Sequence, residues 1–353
     1  MRVVSVVGAR PQFIKAAPLG RALRARHEEI LVHTGQHYDD NMSAVFFREL
    51  ALAEPDRSLG IGSGSQGAQT GQMLAAIEEV LVETAPRLVL VFGDTNSTLA
   101  GALAAAKLGI PVAHVEAGLR SFNRAMPEEI NRVLTDHVST LLFAPAADAA
   151  ALLAKEGIER GVHVVGDLML DALEMFRGRA IERGAARALG VEPPYIVATI
   201  HRAENTNDEA RLRELLAGLD GCGLTVVLPL HPRTKKRMAE LDLRVPSARL
   251  HLVEPQGYLD MLSLQAGAAC VATDSGGMQK EAYFLGVPCV TLRDETEWTA
   301  TLSTGWNVLA GADATRIAAA VQAQLRPHGP RPALYGDGRA AQKIVDVIDA
   351  WAA

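Results

Sequence analysis

The sequence is poor in several things, and each shortage removes a class of protein. Only 3 of its 353 residues are cysteine. Cys222, Cys270 and Cys289 lie far apart, with no CxxC or His-Cys spacing, so neither a disulfide framework nor a metal ligand set is expected. They read as reduced core thiols of a cytoplasmic protein. No stretch offers the roughly 18 uninterrupted apolar residues that a membrane span needs. The opening MRVVSVVGAR has an apolar run too short for a signal-peptide h-region and leads directly into a strand, so membrane insertion is not expected. Lysine and arginine total 35 against 41 aspartate and glutamate, a formal net charge of −6. Without a broad cationic field the chain is not expected to bind nucleic acid or an anionic membrane, and any anionic ligand must meet a local basic site. Solenoid-period repeats, low-complexity tracts and long charge runs are also missing.

What remains is a compact globular composition, 48% hydrophobic, in a chain longer than one ordinary core serves, so two α/β domains are expected. Short apolar runs recur, each followed by a turn and a helix-period segment: VVSVVG, EILVHTG, LVLVFGD, VAHVEAG, TLLFAP and VHVVGD. The pattern restarts with YIVATIHR, TVVLPLHP, LHLVEP, CVATDSGG and PCVTLRD. Continuous apolar runs alternating with helices indicate parallel strands covered on both faces. The expected fold is α/β, two doubly wound Rossmann-like domains with an interdomain cleft. The division is expected at residues 1–166 and 167–338, with a helix over 339–353 crossing back onto the first domain.

In such sheets ligands bind beyond the carboxyl ends of the strands. The first strand exits on GARPQFIK, where Arg10 beside a helix N-terminus is either an anion site or a solvent-facing arginine on a plain strand-to-helix turn; GxGxxG is absent there. Asp94 in FGDTNST is either a helix N-cap or a functional acid. The next strand also exits on an acid, Glu116, whose plainest partner is Arg120, four residues on. In MPEEINR, Pro127 fits the first helical turn and Glu128 and Glu129 the positive end of its dipole. Acids gathered at one sheet edge raise one another's pKa, which creates a proton donor and acceptor pair. In the second half, His201 and Arg202, with Glu204 and Asn205, leave a strand where they suit a diphosphate. The basic stretch His231, Arg233, Lys235 and Lys236 reads as solvated surface. Asp274 and Ser275 end a strand, and Gly276 and Gly277 let backbone N–H groups approach a phosphate. One turn on, Glu281 is placed to accept both ribose hydroxyls.

GARPQFIK, TGQHYDDNMS, GDTNSTLAG, HVEAGLRS, MPEEINR, HRAEN, DSGGMQKE, RDETE and YGDG, in that order, resemble the non-hydrolysing UDP-N-acetylglucosamine 2-epimerase family across almost the whole chain. The resemblance implies a glycosyltransferase-B-like fold with the nucleotide held mainly by the C-terminal domain, and a homodimer that uses neither metal nor nicotinamide. It implies reversible inversion at C2 to UDP-N-acetylmannosamine, through elimination of UDP to 2-acetamidoglucal and re-addition. Asp94, Glu116 and Glu128 then become acid/base candidates alongside His201. Arg10, Lys15 and Arg202 fall near the diphosphate, Ser275, Gly276 and Gly277 form the phosphate cradle, Glu281 is the ribose acid, and Gln256 lies in the uracil segment. Met261 stands where many relatives carry an aromatic. DETEWTA and NRAMPEE depart from the common pattern and also resemble epimerases of UDP-2,3-diacetamido-2,3-dideoxy-glucuronate. Gln36, His37 and Gln66 match those of an allosteric UDP-sugar site in relatives, but acids and Ser65 stand where polar or basic groups are usual, so second-site activation is less expected here than in those enzymes. A glycosyltransferase of the same fold is a more remote alternative, since it has no need of three clustered acids.

Overall fold

The computed structural model describes residues 1–36, 49–50, 52–243, 247–326 and 328–353. Two wholly parallel sheets organise the chain. The first contains β1 (Arg2–Val7), β2 (Glu28–His33), β3 (Arg57–Ser58), β4 (Leu88–Phe92), β5 (Val112–Val115), β6 (Leu141–Ala144) and β7 (Val162–Val164). Their order is β3-β2-β1-β4-β5-β6-β7. The second contains β8 (Tyr195–Thr199), β9 (Thr225–Pro229), β10 (Leu250–Val253), β11 (Cys270–Thr273), β12 (Cys289–Thr291) and β13 (Asn307–Leu309), in the order β10-β9-β8-β11-β12-β13.

The strands read this way because their residues are buried on both faces. All five residues of β4 are buried, as are Val3, Val4, Val6 and Val7 of β1, so the apolar/polar alternation of a half-exposed strand is lost. Two edge strands escape the sequence reading: β3 is two residues long and polar, and β13 is three residues long. β3 offers no apolar residue and β13 opens on Asn307, so neither writes an apolar run.

The chain forms two compact units, Met1–Met175 with Tyr335–Ala353, and Phe176–Leu334. The break falls inside the Leu168–Arg183 helix rather than at residue 166, and the chain re-enters the first unit at 335 rather than 339. The opening of that helix has partners of its own in the first unit. Leu168, Met169, Ala172 and Leu173 are buried, and the Asp171 carboxylate accepts the N–H groups of Ala340 and Ala341 at 3.0 and 2.8 Å. These cap the Ala340–Ala352 helix, whose Ile344, Val345 and Ile348 are fully buried. Among the described residues no helix is long and apolar enough to cross a membrane.

Each sheet reverses its winding once, between β1 and β4 in the first unit and between β8 and β11 in the second. Ligands of doubly wound sheets sit outside the strand ends at such points. The exits there carry Gly8 to Arg10 with Gly93 and Asp94, and His201 and Arg202 with Asp274 to Gly277.

Candidate active site

In the first unit the β1 and β4 exits are bound together by Gln12, on the Arg10–Arg24 helix. Its Oε1 accepts the N–H groups of Gly8 and Ala9 at 2.7 and 2.9 Å, and its Nε2 donates to Phe92 O at 2.7 Å. Gly8 must lack a side chain, because a Cβ would overlap the hydroxyls of Ser97 and Thr34. Arg10 opens the helix, half-buried, with Pro11 in its first turn. Lys15, one turn further on, is buried.

The expected acids are paired differently from the sequence reading. Glu116 bonds Lys15, whereas Arg120 turns away to Asp136 at 2.7 Å and to Glu156 at 2.7 Å. The cause is backbone geometry. Glu116 adopts φ 72° and Gly118 φ 84°, so the chain reverses sharply after β5 and sends the two side chains to different neighbours. A bulky residue held at positive φ is strained, and such strain concentrates at functional sites. Asp94 is not the helix cap; Thr95 is, its side chain accepting Thr98 N–H. The Asp94 carboxylate bonds Arg132 of the Pro127–Val138 helix. Arg132 also reaches Glu129 at 3.0 Å.

Glu129 is buried and carries the loop after Glu116. It accepts Ser121 N–H, Ser121 Oγ–H and Phe122 N–H, each at 2.9 Å. Burial pushes its pKa up, but these donors and Arg132 outweigh burial and hold it below the usual glutamate range. The acids are thus coupled to cations rather than to one another. They still share one edge: a Cβ on Gly93, beside Asp94, would lie 3.4 Å from Glu116 Oε2 and 3.8 Å from Lys15 Nζ. A void of about 10 Å³, roughly the space of one water, adjoins Lys15, Glu116 and Asp167. Glu128 is exposed at the start of its helix.

In the second unit Asp274 organises the β8 exit. Wholly buried, it meets His201 Nδ1 at 3.0 Å and accepts the N–H groups of His201 and Arg202, each at 2.9 Å. Burial raises its pKa, yet His201 and these N–H donors hold it below the aspartate norm. An ionised Asp274 therefore orients the His201 ring. Ser275 caps the Gly276–Leu285 helix through Met278 N–H. The two glycines differ. A Cβ on Gly276 would come within 2.6 Å of Glu297 Oε1 and 2.9 Å of Trp298 Nε1, whereas at Gly277 the nearest atom would be 3.8 Å away. Gly276 therefore admits the Arg293–Trp298 segment, and Gly277 keeps the helix N-terminus open. Arg202 reaches Glu297 at 3.8 Å.

Glu281 is buried, its Oε2 accepting Gln265 Nε2 at 2.8 Å. Burial pushes it up to about 7, against weaker lowering by Gln265 and Lys280. Gln256 is half-buried in the loop after β10 and donates to Glu254 O. Met261 packs on an apolar cluster with Val271 and Cys289. His231 caps the Pro232–Glu240 helix, and its ring lies 5.4 Å from that of His201. Among the second-site candidates, His37 lies outside the described residues. Gln36 accepts Ser97 Oγ–H at 2.7 Å and Gln66 accepts Asn96 Nδ2–H at 2.7 Å. A cavity of about 400 Å³ in the second unit lies by Arg177, Tyr195, Ser263 and Leu285, and none of the expected site residues lines it. Among the described residues no cluster of three or more His, Cys, Asp or Glu side chains is arranged to hold a metal ion.

Sequence reasoning passed over Gln12, His114, Asp136 and Asp167, and gave Asp274 no role beyond ending its strand. His114 left one signal, a single polar residue inside the apolar run VAHV. The others left none, because helix spacing does not say which exit a side chain meets.

The family model for UDP-N-acetylglucosamine 2-epimerase matches residues 21–349. The chain is 48% identical to a UDP-N-acetylglucosamine 2-epimerase homolog of Methanococcus maripaludis, over 99% of both chains. It is 46% identical to the UDP-2,3-diacetamido-2,3-dideoxy-D-glucuronate 2-epimerase of Pseudomonas aeruginosa, again over 99% of both. Among solved structures, the Methanocaldococcus jannaschii UDP-GlcNAc 2-epimerase in complex with UDP-GlcNAc and UDP superposes with a TM-score of 0.93. That chain is 43% identical, and the match covers 99% of this chain and 100% of that one.

Proposed function

The chain belongs to the UDP-N-acetylglucosamine 2-epimerase family of isomerases, and we propose that it interconverts UDP-N-acetylglucosamine and UDP-N-acetylmannosamine. The observation that carries this reading is the pair of acids on adjacent strand exits, Asp94 and Glu116, each bonded to its own buried cation and Glu116 held on a strained turn. Sugar binding and transfer alone do not call for such a pair. Inversion at C2 does, because the proton leaves one face and returns to the other.

In this mechanism a carboxylate takes H2 as a proton. The C2–H electron pair forms the C1=C2 bond, and the C1–O bond breaks with its electrons going to UDP. The product is 2-acetamidoglucal. In the return step a UDP oxygen adds to C1, and a protonated carboxyl delivers a proton to C2 from the opposite face. Asp94 and Glu116 are the proton-transfer pair, with Glu128 the third acid. Arg10, Arg202 and His201 oppose the charge that develops on the diphosphate, and Lys15 balances Glu116. Ser275 to Gly277 present the helix N-terminus to phosphate, Glu281 accepts the ribose hydroxyls, and Gln256 faces the base. The first unit thus carries the chemistry and the second the nucleotide. The buried free thiols of Cys222, Cys270 and Cys289 fit a reducing cytoplasm.

The 46% identity to the Pseudomonas enzyme favours a second reading, the 2,3-diacetamido-uronate sugar as substrate. Parallel incubations with the two UDP-sugars, each labelled with ¹⁸O in the sugar–phosphate bridge, separate them. The proposal expects the manno product from UDP-N-acetylglucosamine, with label scrambled into non-bridging positions. Turnover of the uronate alone transfers the assignment to the second reading, and epimerisation without scrambling overturns the elimination step.

A further inference from the structure

β5 carries one polar side chain among apolar ones, His114, which is wholly buried. Its Nδ1 lies 2.7 Å from Asp136 Oδ1 and its Nε2 lies 2.7 Å from Gly93 O. Asp136, also buried, accepts Gly118 N–H at 3.1 Å and Arg120 Nη1–H at 2.7 Å on its other oxygen. Burial pushes the Asp136 pKa up, but His114 and Arg120 outweigh burial and hold it below the usual range. A backbone carbonyl and a carboxylate both accept, so each ring nitrogen of His114 faces an acceptor.

The groups this network touches are the ones the reaction needs held. Gly93 precedes Asp94. Gly118 closes the turn on which Glu116 sits at φ 72°, and it has no room for a Cβ because Ala149 O fills the space. The helix that supplies Asp136 also carries Glu128 and Arg132, and Arg132 bonds Asp94. One buried carboxylate therefore ties the backbone of both acid-bearing exits to the helix bearing the third acid. A seam that only had to be stable would do as well with an aliphatic pair, since buried ion pairs rarely outperform apolar packing.

We propose that Asp136 and His114 are positioning residues of the epimerisation, holding the Gly93–Asp94 peptide and the strained Glu116 turn at the spacing that proton transfer at C2 requires. The proposal rests on the epimerase reading above. An amide cannot replace the ring at 114: it donates through one end only and turns its carbonyl oxygen on Asp136 or on Gly93 O.

The test compares H114Q and D136N with the wild-type chain on whichever UDP-sugar the wild type epimerises. Misplacing a reacting group by about 1 Å costs on the order of 100-fold, so kcat is expected to fall by that factor. KM and UDP affinity should stay within about threefold, since uniform binding is untouched. Ile77→Ala, in the apolar core of the same unit, serves as a control of lowered stability and should keep its kcat. In an E116D background D136N should cost far less than in the wild type, because the two act on one step. Near-wild-type kcat in the variants, an equal loss in Ile77→Ala, or full additivity with E116D overturns the proposal. If D136N does not fold, as judged by circular dichroism, H114Q decides. A wild-type chain that epimerises neither sugar refutes the epimerase reading instead.

Discussion

At the scale of single residues, the instructive case is Glu116. Its sequence neighbour Arg120 was the obvious partner, yet Lys15, one hundred and one positions away in the chain, holds it. Sequence spacing implies a pairing only when the backbone between is regular, and φ 72° at Glu116 breaks that condition. The E116Q variant is expected to retain UDP affinity, measured calorimetrically, while turnover falls by roughly 100-fold or more. Near-normal turnover would reduce the Lys15 pair to a structural one. Glu281 offers a pH signature. Burial raises it from 4.5 to about 7, so the folded chain binds this proton more tightly than the unfolded chain does. Stability should therefore fall as pH rises between those values and level off above them, by on the order of 3 kcal/mol. E281Q should lack that fall in urea titrations. If the ionised carboxylate accepts the ribose hydroxyls, UDP affinity should also climb more steeply through pH 7 in the wild type than in E281Q, where only the remaining groups titrate.

At the scale of elements, the long buried strands and their exits were legible, because a parallel strand covered on both faces writes a continuous apolar run and ends on a turn. The β3 and β13 edges were not, because neither writes an apolar run: β3 is Arg57–Ser58 and β13 opens on Asn307. Nor was the knot of polar contacts among exits: Gly8 with Gln12, Thr34, and Ser97 come from three separate stretches of the chain, and only the sheet order brings the three together. Gly8→Ala tests how tight that junction is. Its methyl would overlap the Ser97 and Thr34 hydroxyls, which are hydrogen-bonded at 2.8 Å. Overpacking of this kind costs about 1–3 kcal/mol. A drop in Tm of several degrees is the expected result in scanning calorimetry, and an unchanged Tm would mean the junction gives way freely.

At the scale of the molecule, the two parallel, doubly wound sheets were legible, whereas the borders of the two units follow contacts that no local pattern reveals. Asp171 capping the C-terminal helix commits the start of one long helix to the first unit. That C-terminal helix buries Ile344, Val345 and Ile348 completely, and Arg26 bonds Asp346 and Asp349 at 2.8 and 2.7 Å. Burying three such aliphatic side chains stabilises by on the order of 5 kcal/mol, comparable with the whole margin of a domain. Deleting residues 340–353 should make the first unit protease-sensitive while leaving the 176–334 unit resistant; equal resistance in both would show the helix to be dispensable. The central claim, that this chain moves a proton at C2 of a UDP-sugar, is tested most directly in deuterated water. Incubation with UDP-N-acetylglucosamine, followed by proton NMR, should give the manno epimer with the H2 signal lost as deuterium enters C2 of both epimers. Retention of H2 with this sugar, and with its 2,3-diacetamido-uronate analogue, would contradict the account.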